Sequence, residues 1–339
     1  MAVTMKDVAR RAGVSVATVS YALRGGQYVS EEVAANIRAA VEELGYATNQ
    51  SARYLRSGRT GVIAVGVHEL DIPYFYSRFA QHMVDRIENA GYKALVARSG
   101  WNASSVRESL ERLSDQPSDG IIVHAGGVPS SELKRLGKGR QVVLIDDFSA
   151  RPGLDTIIVP GEQGIRMATE HLLDRGCRDI AMVGVPYMPK SRLGQRVSEV
   201  MRLRGYVTAL ERSGIEYRRD YLYDGEWNMD VGREIAHRIV ADGMPYDGIV
   251  CATDSLAVGL VRGFADRGVR VPDAVRIVGF DGISLDDYVV PSITTVAVDM
   301  DDLADKAVGM LISRIEGDYD GAPRHEEGRL KLCVRESSR

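Results

Sequence analysis

Two carboxylates close apolar runs of the chain. Asp146 ends Val-Val-Leu-Ile-Asp (142–146) and Asp281 ends Arg-Ile-Val-Gly-Phe-Asp (276–281). Ligands of open α/β sheets bind beyond the carboxyl ends of the strands. A carboxylate placed there accepts hydrogen bonds from two hydroxyls, and charged acceptors form the stronger ones. That is the chemistry of sugar recognition, although an aspartate in such a place also serves to cap the turn that follows. Asp147 follows Asp146; if the strand ran through both, their side chains would point to opposite faces, a poor acid–base pair. Other catalytic equipment is missing. There is no Walker loop, no Gly-x-Gly-x-x-Gly opening a helix after a strand and no serine elbow, and the six histidines are scattered. Cys177, Cys251 and Cys333 lie far apart, in no metal or redox spacing, and read as small hydrophobes of a reducing compartment. No catalytic residue, metal or cofactor is expected.

A second concentration of polar groups lies at the N-terminus, where Thr4, Ser15, Thr18 and Ser20 punctuate two short helical patterns. Thr4 is placed to cap the first, with Asp7 where a capping box wants an acid. Val8, Ala9 and Ala12 make its apolar face, Gly13 permits a sharp turn, and Ser15 caps the second helix. This is the layout of a DNA-binding helix-turn-helix, and equally of an ordinary helical hairpin. Ser30 caps a third helix, with Val33, Ile37, Val41 and Leu44 on one stripe ending at Gly45. Three such helices can close a core around Val8, Val14, Val19, Val29 and Val33. A polar, basic run (46–59) follows. Residues 1–59 carry a formal charge of +3 and the remainder -7, so a basic head sits on an acidic body, as expected when one end meets phosphate.

From residue 61 apolar strand patterns alternate with helical ones: 61–67, 93–97, 120–123, 142–146, 156–159, 180–183, 248–251 and 276–281 as strands, with a late helix near 299–316. Such alternation builds parallel sheets with helices on both faces. Two sheets, hence two lobes, fit the count better than one oversized sheet. The expected division is a helix-turn-helix head (1–46), a linker (47–60) and a two-lobed body (61–339). The N-terminus opens at once on a capped helix, not a signal peptide, and no apolar run approaches the roughly 20 residues that span a bilayer, so a cytoplasmic protein is expected.

Asp-Val-Ala-x-x-Ala-Gly-Val-Ser-x-x-Thr-Val-Ser (7–20), Leu-Gly-Tyr (44–46) and Asn-x-x-Ala-x-x-Leu (49–55) together resemble the lactose/galactose repressor family of bacterial transcription regulators. The resemblance implies an α/β body of the periplasmic-binding-protein type that crosses between lobes three times. It implies a sequence-specific DNA-binding regulator, a homodimer on a near-palindromic operator, with a sugar-like effector in the interlobe cleft. A repressor relieved by ligand is the leading expectation; an activator or a corepressor-dependent regulator uses the same parts. Val16, Ala17 and Tyr21 fall where family members read bases, and Thr4, Ser15, Thr18 and Ser20 are assigned to the DNA side with them, the last three toward phosphate. Asn49, Ala52, Arg53 and Leu55 would form paired helices that wedge the minor groove. In the cleft, the resemblance assigns Tyr74, Phe75, Asp146, Arg202, Trp227 and Asp281. Thr253 stands where the family usually has an asparagine, and Thr48 where it usually has a proline.

Overall fold

The computed structural model describes residues 3–22, 29–46, 58–68, 70, 75–100, 102–149 and 153–339. The chain divides into two compact units, Met1–Thr60 and Gly61–Arg339.

In the first unit three helices, α1 (Met5–Ala12), α2 (Val16–Ala22) and α3 (Glu31–Leu44), enclose Val8, Ala9, Val19, Ile37, Ala40 and Tyr46, with Val14, Val16 and Val33 partly buried against them. Ile37, Ala40 and Tyr46 thus join four of the valines expected there, Val8, Val14, Val19 and Val33, while Val29 lies outside the cluster. The Asp7 carboxylate accepts from the Thr4 amide at 3.0 Å and from its hydroxyl at 2.6 Å. The hydroxyl bond, more than any other contact, holds the Asp7 carboxyl below its usual range. Gly13, in the left-handed region at φ 68°, ends α1 and sends the chain into α2, whose cap is Ser15: the Thr18 amide donates to its hydroxyl at 3.1 Å. Ser30 caps α3 in the same way, through the Val33 amide at 3.4 Å.

The second unit holds two six-stranded sheets. The first, the N-lobe sheet, contains β1 (Val62–Val67), β2 (Lys93–Arg98), β3 (Gly120–His124), β4 (Gln141–Ile145), β5 (Asp155–Ile158) and β11 (His325–Glu327), in the order β11-β5-β4-β3-β1-β2. Helices α4 (Phe75–Asn89) and α11 (Met300–Glu316) pack together on it, as do α5 (Ala103–Asp115) and α6 (Ser130–Leu136). The C-lobe sheet contains β6 (Ile180–Val183), β7 (Leu222–Tyr223), β8 (Gly248–Cys251), β9 (Arg276–Asp281), β10 (Thr294–Val298) and β12 (Leu330–Cys333), in the order β12-β10-β9-β8-β6-β7. Its helices pair closely: α7 (Gly161–Asp174) with α8 (Ser198–Arg212), and α9 (Met229–Ala241) with α10 (Asp254–Asp266). Glycine permits this approach, since a Cβ on Gly259 would stand 2.1 Å from the Met229 carbonyl oxygen and one on Gly205 2.2 Å from that of Glu162.

The chain crosses between lobes after β5, after β10 and again between β11 and β12, the three crossings expected. The described pairings are parallel, as expected, apart from β12, which runs antiparallel to β10 at the edge of the C-lobe sheet. Helix α9 and strands β10 to β12 were absent from the pattern reading. Among the described residues, no helix is long and apolar enough to cross a membrane.

Candidate ligand cleft and helix-turn-helix surface

On the N-lobe, three neighbouring strands deliver side chains to one edge. His68 follows β1, His124 ends β3 and Asp146 follows β4. The strand stops at Ile145, so Asp146 and Asp147 do not alternate across it as expected. Asp146 instead turns into the left-handed region (φ 54°), and its Oδ1 accepts from the Val159 amide at 2.8 Å while Oδ2 stands 3.5 Å from His124 Nε2. It therefore braces the end of β5 with one oxygen and faces the cleft cluster with the other. The Gly126 amide donates to His124 Nδ1 at 3.0 Å, which places the ring proton of the neutral tautomer on Nε2, toward Asp146. His68 donates from Nδ1 to the Gly100 carbonyl. Its ring lies 3.9 Å from that of His124 and meets Tyr76 edge-on at 4.8 Å. Burial, then the neighbouring His124, pushes the His68 imidazole down to about 3, so it is neutral at physiological pH. Asp147 accepts from the Ser149 amide at 3.0 Å through Oδ1, and its Oδ2 is buried with no hydrogen-bond partner.

On the C-lobe the centre is Arg202, buried on α8. Its guanidinium carbon lies 4.2 Å from the Trp227 ring centroid and 4.8 Å from that of Phe280. Its contact with Asp281 is long, 3.7 Å from Nη2 to Oδ1, and Nε and Nη1 are buried without a partner. Burial pushes the Asp281 carboxyl well above the usual range; Arg202 pulls it back less strongly, and the charges of Asp254 and then Asp146 add to the rise. Asp281 also holds a positive φ of 119°, a backbone conformation rarely adopted outside glycine. A cation with idle donors between aromatic faces, opposite a carboxyl, is equipped to bind a ligand rich in hydroxyls.

The remaining assignments divide. Trp227 spends its indole N–H on the Gly184 carbonyl at 2.6 Å and turns a face to Arg202, so it seats the guanidinium. Thr253 caps α10, accepting from the Leu256 amide at 3.4 Å. Phe75 is buried in the core beside Tyr76 and Phe79. Tyr74 lies outside the described residues, as do Asn49, Ala52, Arg53 and Leu55. On the head, Ala17 and Tyr21 are exposed, Tyr21 by 55%, whereas Val16 leans on the core. The Ser15 and Thr18 hydroxyls bond each other at 2.8 Å. His68, His124, Asp147 and Phe280 were missed. The signal was present in part, for His68 and His124 close apolar strands just as Asp146 does.

The head and the body match known families separately. Residues 4–49 fit the model of bacterial regulatory proteins of the lacI family, and residues 169–338 that of the periplasmic binding protein-like domain. The chain is 30% identical over 312 residues to catabolite control protein A of Priestia megaterium, covering 92% of each. The chain belongs to the LacI family of bacterial regulatory proteins. Another LacI-family relative, the ribose operon repressor of Halalkalibacterium halodurans, is 30% identical over 336 residues, covering 99% of this chain and 97% of its own. A solved complex of the transcriptional regulator CelR with cellobiose matches with a TM-score of 0.70 at 25% identity over 99% of both chains. As a LacI-family member the protein is a DNA-binding transcription regulator, and the relatives it matches are regulators, not enzymes.

Proposed function

We propose that the protein is a cytoplasmic transcriptional repressor that binds a near-palindromic operator as a homodimer and releases it when a sugar-like effector enters the interlobe cleft. The observation that carries the effector half is Arg202, with two buried N–H groups idle beside Asp281. Such groups persist in a native fold when a ligand supplies their partners. Asp281, Arg202, Asp146 and His124 would hold ring hydroxyls, with Asp147 as a further acceptor and Trp227 and Phe280 fixing the arginine. Thr253 acts indirectly, by setting the start of α10. Phe75 supports the same wall from the core, and Tyr74, outside the described residues, is assigned to the effector with it. The cellobiose bound to CelR and the ribose operon that names a second relative point to the same class.

In the head (1–46), Ala17 and Tyr21 are the base-facing candidates and Ser15, Thr18, Ser20 and Thr4 the phosphate-facing ones, with Val16 shared between core and groove. Residues 47–60 connect it to the body (61–339); there Asn49, Ala52, Arg53 and Leu55 form the minor-groove element. One helix-turn-helix makes few base contacts, so two-fold symmetry is needed to read two half-sites. Tyr288 and Val290, 82% and 88% exposed beside one another, supply an apolar patch for a second copy. A thermal-shift screen of the full-length protein against neutral mono- and disaccharides tests the effector class. Ligand at about 100 times Kd stabilises by about 2.7 kcal/mol, so at least one sugar raises Tm. A panel in which only phosphorylated sugars act overturns the neutral-sugar assignment.

A further inference from the structure

The peptide between Gly282 and Ile283 is held from both lobes at once. Its carbonyl accepts from Arg78 Nη1 at 3.0 Å, and Arg78 belongs to α4 of the N-lobe. Its N–H, from Ile283, donates to Asp254 Oδ2 of the C-lobe at 3.1 Å, and the Gly282 amide donates to the same oxygen at 2.5 Å. Asp254 is fully buried at the start of α10 and adjoins Asp286, also fully buried. Two carboxyls in that setting share one proton, which leaves Asp254 the acceptor its two amide donors require. Only glycine fits at 282: at φ 79°, a Cβ would stand 2.4 Å from that of Ala297. Immediately before it comes Asp281, with its positive φ and its carboxyl opposite Arg202. On the other side, α4 is tied to α11 by Arg86 with Asp301 and Asp305 and by His82 with Asp301, so Arg78 moves with the N-lobe as a body.

We propose that Arg78 is a positioning residue that couples the lobes to the effector carboxyl: through the Gly282 carbonyl it ties the placement of the N-lobe to the geometry of Asp281. A shift of one lobe against the other then reorients the peptide next to Asp281, and a ligand that fixes Asp281 pulls on Arg78. The functional consequence rests on the cleft reading above; the mechanical link does not.

Hydrogen exchange by mass spectrometry on the ligand-free full-length protein tests the link. Arg78→Met keeps most of the stem and removes the donor. Exchange of the amides in residues 279–286, on the opposite lobe, should rise at least about tenfold, while the α4 amides stay as protected as in the unchanged protein. Arg78→Lys, which keeps a charged donor on a shorter stem, should restore part of the protection, and it carries the test should the methionine variant not fold. Unchanged exchange at 279–286 in both variants overturns the proposal. Asp281→Asn, assayed by thermal shift with cellobiose and ribose as probes, interrogates the cleft reading separately: a shift equal to that of the unchanged protein removes Asp281 from the effector site and leaves the exchange result standing.

Discussion

Arg202→Met separates a ligand-binding arginine from a structural one. Methionine keeps an unbranched, polarisable stem between Trp227 and Phe280. It removes the guanidinium with its two unpartnered N–H groups and its 3.7 Å contact with Asp281. Each unsatisfied buried donor costs about 1–3 kcal/mol, so their removal is worth about 2–6 kcal/mol to the empty protein. Against this stand two ring contacts, at 4.2 and 4.8 Å, each worth about 0.5–2 kcal/mol. Asp281 loses its partner, but its carboxyl is already pushed toward the neutral form by burial, which limits the loss. The balance runs from about 2 kcal/mol less stable to about 5 kcal/mol more stable for the ligand-free variant, centred on a gain of about 1–2 kcal/mol. Effector affinity moves the other way, down by tenfold to a hundredfold, because a charged hydrogen bond is worth about 1.5–3 kcal/mol. Urea denaturation of the ligand-free protein followed by both circular dichroism and tryptophan fluorescence reads the first number, and calorimetric titration of whichever sugar raises Tm reads the second. A variant that loses more than about 3 kcal/mol refutes the reasoning, since a buried ion pair that the fold depends on behaves in that way when one partner is removed.

The buried His68, held at about 3 in the folded protein against 6.5 when unfolded, contributes stability that is complete above about pH 6.5 and is lost as pH falls toward 3; between pH 7 and 4 the wild type should lose about 3 kcal/mol more in denaturation than His68→Asn, which keeps a donor for Gly100. Asp286 behaves oppositely. Burial, then the charge of Asp254, pushes its carboxyl from 3.8 up to about 10, so its contribution is complete below about pH 4 and is lost steadily as pH rises to about 10; Asp286→Asn should flatten the loss in a Tm series from pH 7 to 10. At the exposed patch, Val290→Lys should shift the full-length protein from dimer to monomer in sedimentation velocity at micromolar concentration, and an unchanged dimer would move the interface elsewhere.

Much of the architecture was legible because its signals are local. Apolar runs such as 62–67 and 120–123 lie in parallel strands covered on both faces, and their neighbours end at glycine or begin at a capping side chain. The expected crossings followed from family resemblance and are present. What was missed depends on distant partners. Strand β11 reads His-Glu-Glu, exposed and patternless; it pairs with β5, and Asp155, at the start of β5, accepts from Arg314 of α11 and from Arg324, the residue just before β11. Helix α9 did carry a signal, since Asn228 caps it through the Val231 amide at 2.9 Å, but the run after Trp227 was read only for its aromatic. His68 and His124 are 56 positions apart in sequence and 3.9 Å apart as rings. Only the order β4-β3-β1 brings them to Asp146, and no spacing rule along one strand contains that order.

The two halves of the cleft are unlike, and the difference bears on how binding reaches DNA. The C-lobe half offers a cation with idle donors beside a carboxyl raised toward neutrality; the N-lobe half offers the neutral His68 beside His124, with Asp146 and the unpaired Oδ2 of Asp147. A ligand satisfied by Arg202 alone would bind every arrangement of the lobes equally and shift none of them, because a ligand moves an equilibrium only by its differential affinity for the states. A ligand long enough to meet Arg202 and Asp147 together completes its hydrogen bonds in one arrangement only. Under the function proposed above, unpaired polar atoms on both walls would turn occupancy into a change of lobe geometry. Arg78, joined to the Gly282 carbonyl beside Asp281, lies where that change leaves the ligand and enters the frame.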